Sequence, residues 1–372
     1  MRELVPRPSR LALGRHSTAY GLACYSSGTS KRAPSPPWSA LRVTLNIRSQ
    51  RFREAASGYL FILPWIAGFL VFILGPMLAS LYLSFCRYDP SQVRSGATWI
   101  GVANYVKMLT DDENFWPSLR VTFRYSIISI PVQLLAGLTV AILLNQKVRG
   151  QRFYRTCFYL PVVLGGVATS LIWMWLFSPS QGLINVGLAN LYEALGRDSH
   201  LTHILSGSLR AVFGSAEDNP LLPGWTASEE GALNSLILMS LWGVGGSMIV
   251  NLAGLQAIPT VFYEAATIDG AGRASRLWHI TLPLLSPTIF FNLVMGVIGS
   301  FQVFTQGFIM TGGGPKNATR FYVLYTYQNG FEYFKMGYAS ALAWVLFVIV
   351  LVFTLLIVRS SAAWVFYEAQ KR

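Results

Sequence analysis

The sequence predicts an all-α integral membrane protein with six transmembrane helices and both termini in the cytoplasm. Three observations lead there. Only 12% of the 372 residues are charged and 53% are hydrophobic, about half the charged share of a soluble globular chain. Six runs without Asp, Glu, Lys or Arg are each long enough to cross a bilayer, which takes about 20 apolar residues. Basic residues also concentrate in alternate loops, as they do on the cytoplasmic side of membrane proteins.

Residues 1–56 form a basic extension rich in Arg, Ser and Pro, with Pro34-Ser35-Pro36-Pro37 opposing helix formation. Its composition is that of a transit peptide, of a disordered tail, or of a start codon set upstream; no function is assigned to it. The body, residues 57–360, holds spans near 59–85, 125–145, 157–177, 232–255, 288–310 and 337–358. Residues 361–372 are a cytoplasmic tail. With the N-terminus inside, the cytoplasmic segments hold 19 of the 29 basic residues but only 5 of the 16 acids. Lys147, Arg149, Arg152 and Arg155, with no acid among them, mark the loop between the second and third spans as cytoplasmic. The net charge of +13 is therefore a topology signal, and no nucleic acid is needed to explain it. The outer loop 178–230 has a helical pattern over Leu183–Leu195, then a polar stretch broken by Gly and Pro. It serves either as a docking surface for an external partner or as spacing.

The three cysteines, Cys24, Cys86 and Cys157, are far apart and form no CxxC pair, so neither a disulfide framework nor a zinc site is expected. Of the four histidines only His200 and His203 are close together, and both lie in a loop. No metal and no cofactor is expected on this chain.

The cytoplasmic loop 257–287 carries the most information. Pro259-Thr260 can open a helix with Thr260 as N-cap. Val261 to Ile268 makes about two turns, and Asp269-Gly270 stops them, because glycine accepts the positive φ of a helix C-terminal turn. A second short helix from about Arg273 should meet Pro283 at the membrane entry. These residues alone describe an ordered bend between two spans. Their spacing, however, resembles the signature of ABC-importer permeases. Glu264, Ala265 and Ala266 are followed by Gly270 after three residues, then by Ile280, Leu282 and Pro283. The likeness extends to Trp99-Ile-Gly-Val-Ala-Asn-Tyr105, Leu143-Leu-Asn-Gln-Lys-Val-Arg-Gly150 and Ile309-Met-Thr-Gly-Gly-Gly-Pro315, and covers roughly residues 57–358. Together these stretches resemble the carbohydrate-uptake branch, and within it the larger membrane subunit of maltose and glycerol-3-phosphate importers.

That resemblance implies a MetI-like bundle in a bacterial cytoplasmic membrane, and it implies a mechanism. The loop would be a coupling helix seated in an ATPase subunit. Glu264 would face the ATPase, Ala265 and Ala266 would allow close approach, and Asp269 with Gly270 would make the turn. Ile280, Leu282 and Pro283 would complete the contact. The implied partners are a second, homologous permease, an ABC ATPase dimer that holds ATP and Mg, an extracytoplasmic sugar-binding protein and the lipid bilayer. This chain itself lacks a GxxxxGK[ST] phosphate loop; Gly312-Gly-Gly-Pro-Lys316 has neither its spacing nor its Ser or Thr.

Polar and small residues inside spans mark either close packing or a pathway. Ser240, Gly243, Ser247 and Asn251 recur at helical spacing on the fourth span, with Trp242 beside them. Gly299, Gln302 and Gln306 do the same on the fifth. Amides can hydrogen-bond sugar hydroxyls and aromatic rings can stack on sugar faces, so these residues are candidates for a substrate path. A self-sufficient secondary carrier or channel is the alternative, but it would want mid-span ionisable groups and inverted repeats. A membrane enzyme would want a catalytic constellation such as HExxH or GxSxG, which the sequence does not contain.

Overall fold

The computed structural model describes residues 54–366, apart from 56, 92–95, 147–148, 197–198 and 217–218. The expectations for residues 1–53, for Lys147 and for the tail beyond 366 lie outside the described residues. The chain divides at Phe69. The described part before that point is helical, with Trp65 and Phe69 stacked at 5.7 Å.

Among the described residues five helices are long and apolar enough to cross a membrane, and there is a sixth span if one bent pair is counted as one. They are α1 (Ser57–Ser84), α3 (Phe115–Asn145), α8 (Ala232–Ala257), α10 (Arg273–Phe301) and α12 (Met336–Trp364), and the bent pair is α4 (Gln151–Val163) with α5 (Gly166–Leu176). The chain is thus a multi-pass helical membrane protein. Shorter elements join them. A hairpin pairs β1 (Cys86–Arg87) antiparallel with β2 (Thr98–Trp99), and α2 (Ala103–Thr110) follows it. The hairpin is tied down by Asn104, which donates to the carbonyls of Ser84 at 2.8 Å and Cys86 at 3.0 Å.

Within the part from Leu70 onward, α3 is the central post. It packs against α8 and α10, while α12 packs against α10 and the Gly75–Ser84 segment. Tyr125, Phe177, Leu236 and Phe321 form one buried cluster; Met108, Phe115, Tyr322 and Leu342 form a second; Ala141, Met248 and Leu285 form a third. Close approach is set by small residues. A Cβ on Gly137 would fall 2.2 Å from the Ser247 hydroxyl, and one on Gly245 would fall 2.1 Å from the Phe158 carbonyl oxygen. In a membrane such contacts replace the hydrophobic drive that holds soluble bundles together.

Three expected spans are corrected. The second begins ten residues early, at Phe115, because Arg120 and Arg124 end the apolar run but not the helix. The third is not one rod. Its halves meet at 101°, with Leu164 and Gly165 both extended. Pro161, which cannot donate to the helical ladder, and Gly165-Gly166, poor helix formers, concentrate the bend there. The fifth runs from Arg273 to Phe301 instead of 288–310. Pro283 does not break it, because the preceding Leu277–Thr281 turn widens to a π-helix in which Leu282 donates to the Leu277 carbonyl.

The 178–230 segment is more ordered than its composition suggests. The pattern over Leu183–Leu195 is a helix with those bounds, α6. A second helix, α7 (His200–Phe213), lies where a polar stretch is expected, and Ser199 caps it by accepting from the Thr202 N–H at 3.2 Å. Both helices close around Trp225. Its indole donates to Asn185 Oδ1 at 2.7 Å, its ring stacks on Phe177 at 4.9 Å, and Asn185 donates to the Pro223 carbonyl at 3.2 Å.

Candidate functional site

Two features stand out: an exposed elbow between α8 and α10, and a largely apolar cleft within the bundle that carries a few polar side chains. The elbow begins where α8 ends at Ala257 and Ile258-Pro259 turns extended. Pro259, not Thr260, occupies the N-cap of α9 (Thr260–Ile268), and no side chain caps it. The reason is local. Pro259 cannot itself join a helix that continues from α8, so Thr260 becomes the first helical residue.

The end of α9 is more tightly specified. Gly270 has φ +76°, its N–H reaches the Thr267 carbonyl at 3.1 Å, and the Ala271 N–H reaches Ala266 at 2.8 Å. This paired closure is a Schellman motif, which satisfies carbonyls the helix leaves over. A Cβ at Gly270 would meet nothing within 4 Å. Glycine is therefore required by backbone conformation and not by crowding.

Glu264, Ala265, Asp269 and Gly270 are exposed, Ala266 is half-buried, and Ile268 is 88% exposed. Ile280, Leu282 and Pro283 sit 10 or more residues further on in α10, half-buried against the bundle. The tie between the two parts is polar. Tyr263 and Thr281 share a hydrogen bond of 3.1 Å, and Arg276 donates to the Thr267 hydroxyl at 3.1 Å. The elbow thus shows a small-residue, partly acidic face outward and is bonded to the root of α10 behind.

The interior cleft has a volume of about 400 Å³. Of the residues expected on a substrate path, Ser240, Trp242, Gly243, Gly299 and Gln306 line it. Ser247, Asn251 and Gln302 do not, and each has a physical reason. Ser247 packs on Gly137 and donates to the Val244 carbonyl at 3.0 Å. Asn251 is buried and accepts from the Asn292 amide at 2.9 Å, a tie between α8 and α10. Gln302 caps the C-terminus of α10, where the helix stops. Gln306 lies on a separate turn leading into the π-helical Gly307–Thr311, so the two glutamines share no helical stripe.

The tightening of α8 to a 3₁₀ turn over Leu241–Val244 lies where Trp242 and Gly243 reach the cleft, with Trp242 edge-on to Trp173 at 5.5 Å. Sequence reasoning missed Tyr125, Gln133 and Thr169, which also line the cleft. Gln133, an amide in the middle of an apolar run, carried the signal; Tyr125 looks in sequence like any core aromatic. The walls offer hydroxyls, amides and an indole face, able to exchange hydrogen bonds with a polar, uncharged solute and to stack on its apolar side. Among the described residues no three His, Cys, Asp or Glu side chains converge on a metal site.

A passage between helices, with an external handle rooted in one of its walls, is the plan of a membrane transport subunit. The chain belongs to the family described as "Binding-protein-dependent transport system inner membrane component", whose model matches residues 133–364. It is 42% identical to the "Probable ABC transporter permease protein YesP" of Bacillus subtilis, over 86% of this chain and 94% of that one. It is 31% identical to the trehalose/maltose transport system permease protein MalF of Thermococcus litoralis, over 83% and 95% of the two chains. The fold is that of a chain in the crystal structure of a bacterial alginate ABC transporter in complex with a pentasaccharide-bound periplasmic protein, with TM-score 0.66 and 22% identity over 84% of this chain and 96% of that one.

Proposed function

We propose that this chain is the membrane-spanning permease of a carbohydrate importer in a bacterial cytoplasmic membrane. It would cross six times, with the α4–α5 pair as one span and both termini in the cytoplasm. A second, homologous permease would complete the pathway, and an extracytoplasmic sugar-binding protein would deliver solute. ATP and Mg are held by a separate ATPase dimer. The relatives named for trehalose, maltose and arabinooligosaccharides support the carbohydrate class.

The observation that carries this reading is the elbow: Glu264 and Ala265 exposed beside a half-buried Ala266, closed by Gly270 and bonded to the root of α10. In the proposed cycle, ATP closes the ATPase dimer, the elbow moves with it, and α10 tilts so that the cleft opens to the outside. Ser240, Gln133 and Gln306 exchange hydrogen bonds with solute hydroxyls while Trp242 stacks. The chain does no covalent chemistry.

The test is a Glu264→Cys variant in a background with Cys24, Cys86 and Cys157 replaced by Ser. Cross-linking to the ATPase subunit, and arrest of radiolabelled sugar uptake when the link is made, is the expected result. Uptake by the purified chain alone in liposomes would overturn the proposal.

A further inference from the structure

A second cleft, of about 580 Å³, lies behind the elbow. We propose that it binds the headgroup of an anionic phospholipid. Its walls come from four helices: Asn145 near the end of α3, Leu255 of α8, Tyr263 of α9, and Arg273, Arg276 and Leu277 of α10. No Asp or Glu is among the lining residues, although Glu264 and Asp269 belong to the same elbow. Two guanidinium groups therefore face this space without a counter-charge in its walls. Arg276 spends one N–H on Thr267 and keeps the rest of its five donors. The Arg273 side chain has no hydrogen-bond or ion-pair partner among the described residues. A planar guanidinium pair beside side-chain amides suits phosphate oxygens.

The rest of the cleft favours an amphiphile over free phosphate. Leu255 and Leu277, with Ile142, give it an apolar wall. Exposed apolar side chains stand next in sequence to Ile142 and Leu277 of the lining, Leu143 at 56% and Trp278 at 67%. An indole at the end of a span is typical of the membrane–water interface, and basic pockets between spans are where anionic headgroups lodge. The phosphate would sit on Arg273 and Arg276 with the glycerol and upper acyl carbons along the leucines. A lipid so placed would brace the elbow against the span ends. This inference does not depend on the carbohydrate reading.

The full chain, purified in detergent, is titrated with dioleoyl phosphatidylglycerol and with dioleoyl phosphatidylcholine, and bound lipid is counted by native mass spectrometry. The expected preference for the anionic lipid is roughly tenfold to thirtyfold, from two arginines near a surface. Arg273→Gln should reduce it about fivefold, and Arg273→Gln with Arg276→Gln should abolish it while phosphatidylcholine binding stays unchanged. Circular dichroism checks that the variants keep their helices. Equal binding of the two lipids, or a preference that survives the double change, overturns the site. Displacement of the anionic lipid by inorganic phosphate at similar affinity also overturns it, assigning the cleft to free phosphate instead.

Discussion

Ala271 donates its backbone N–H to the carbonyl of Ala266 at 2.8 Å, across a left-handed Gly270. The two residues on either side of the turn are thereby locked, and the outward face of α9 has a fixed end. Because the space around Gly270 is open, the substitution series there separates conformation from bulk. Gly270→Ala places a Cβ at positive φ at a cost of roughly 1–2 kcal/mol although that Cβ meets nothing, and the β-branched Gly270→Val costs more. Gly270→Asn, which tolerates this conformation, should retain most activity. Uptake by the assembled importer should fall in the order Gly, Asn, Ala, Val, with protein levels in the membrane unchanged by immunoblot.

Gly245 and Gly243 are neighbours with opposite demands. A Cβ on Gly245 would press into the Phe158 carbonyl, whereas one on Gly243 meets nothing within 4 Å. Gly245→Ala should destabilise the chain by about 1–3 kcal/mol, seen as a lower Tm in detergent by intrinsic fluorescence. Gly243→Ala should leave Tm unchanged and alter uptake through the cleft it lines.

Asn292→Ala removes the donor to Asn251 and leaves that amide buried without it. A loss of about 1 kcal/mol is expected, measured by thermal or denaturant unfolding, with no change in apparent KM for the sugar. Gln306→Ala should do the reverse. Losing one hydrogen bond to solute should raise KM about fivefold with Tm unchanged. The pair of outcomes distinguishes a helix tie from a contact.

At the far end of the bundle, Asp112 accepts from the phenols of Tyr325, on α11 (Tyr322–Tyr327), and of Tyr338, joining the entry to α3 to α11 and α12. Tyr325→Phe and Tyr338→Phe should each lower stability by about 1.5–3 kcal/mol, the range for hydrogen bonds to a charged group. Because both phenols share one carboxylate, the double variant should depart from the sum of the two by at least about 0.5 kcal/mol. Unfolding of the single and double variants in one detergent measures this.

Much of this was legible in the chain because hydropathy is a local quantity. The long apolar runs lie within or largely overlap helices, and α6 has the bounds its periodicity indicates. Gly270 was readable because a turn with positive φ calls for that residue. Geometry between distant residues was not readable. Asn251 and Asn292 are 41 residues apart, and nothing in either run says that they face each other rather than a pathway. The bend at Leu164-Gly165 escaped because a sum of hydropathies is blind to direction, even though Pro161 and Gly165-Gly166 were in plain view. The fifth span is displaced because the short helix expected from Arg273 does not end at Pro283 but runs on as one helix to Phe301.

The angle between α4 and α5 changes what a displacement does. Along a straight rod a push emerges as a push. Through a knee of 101° it emerges as a swing, and Thr169, on the distal limb, travels sideways across the mouth it helps to form. The glycine seat at Phe158 brings the proximal limb and α8 together backbone to backbone at Gly245, so that a push on α8 is handed to the knee with no side chain to give way at that point.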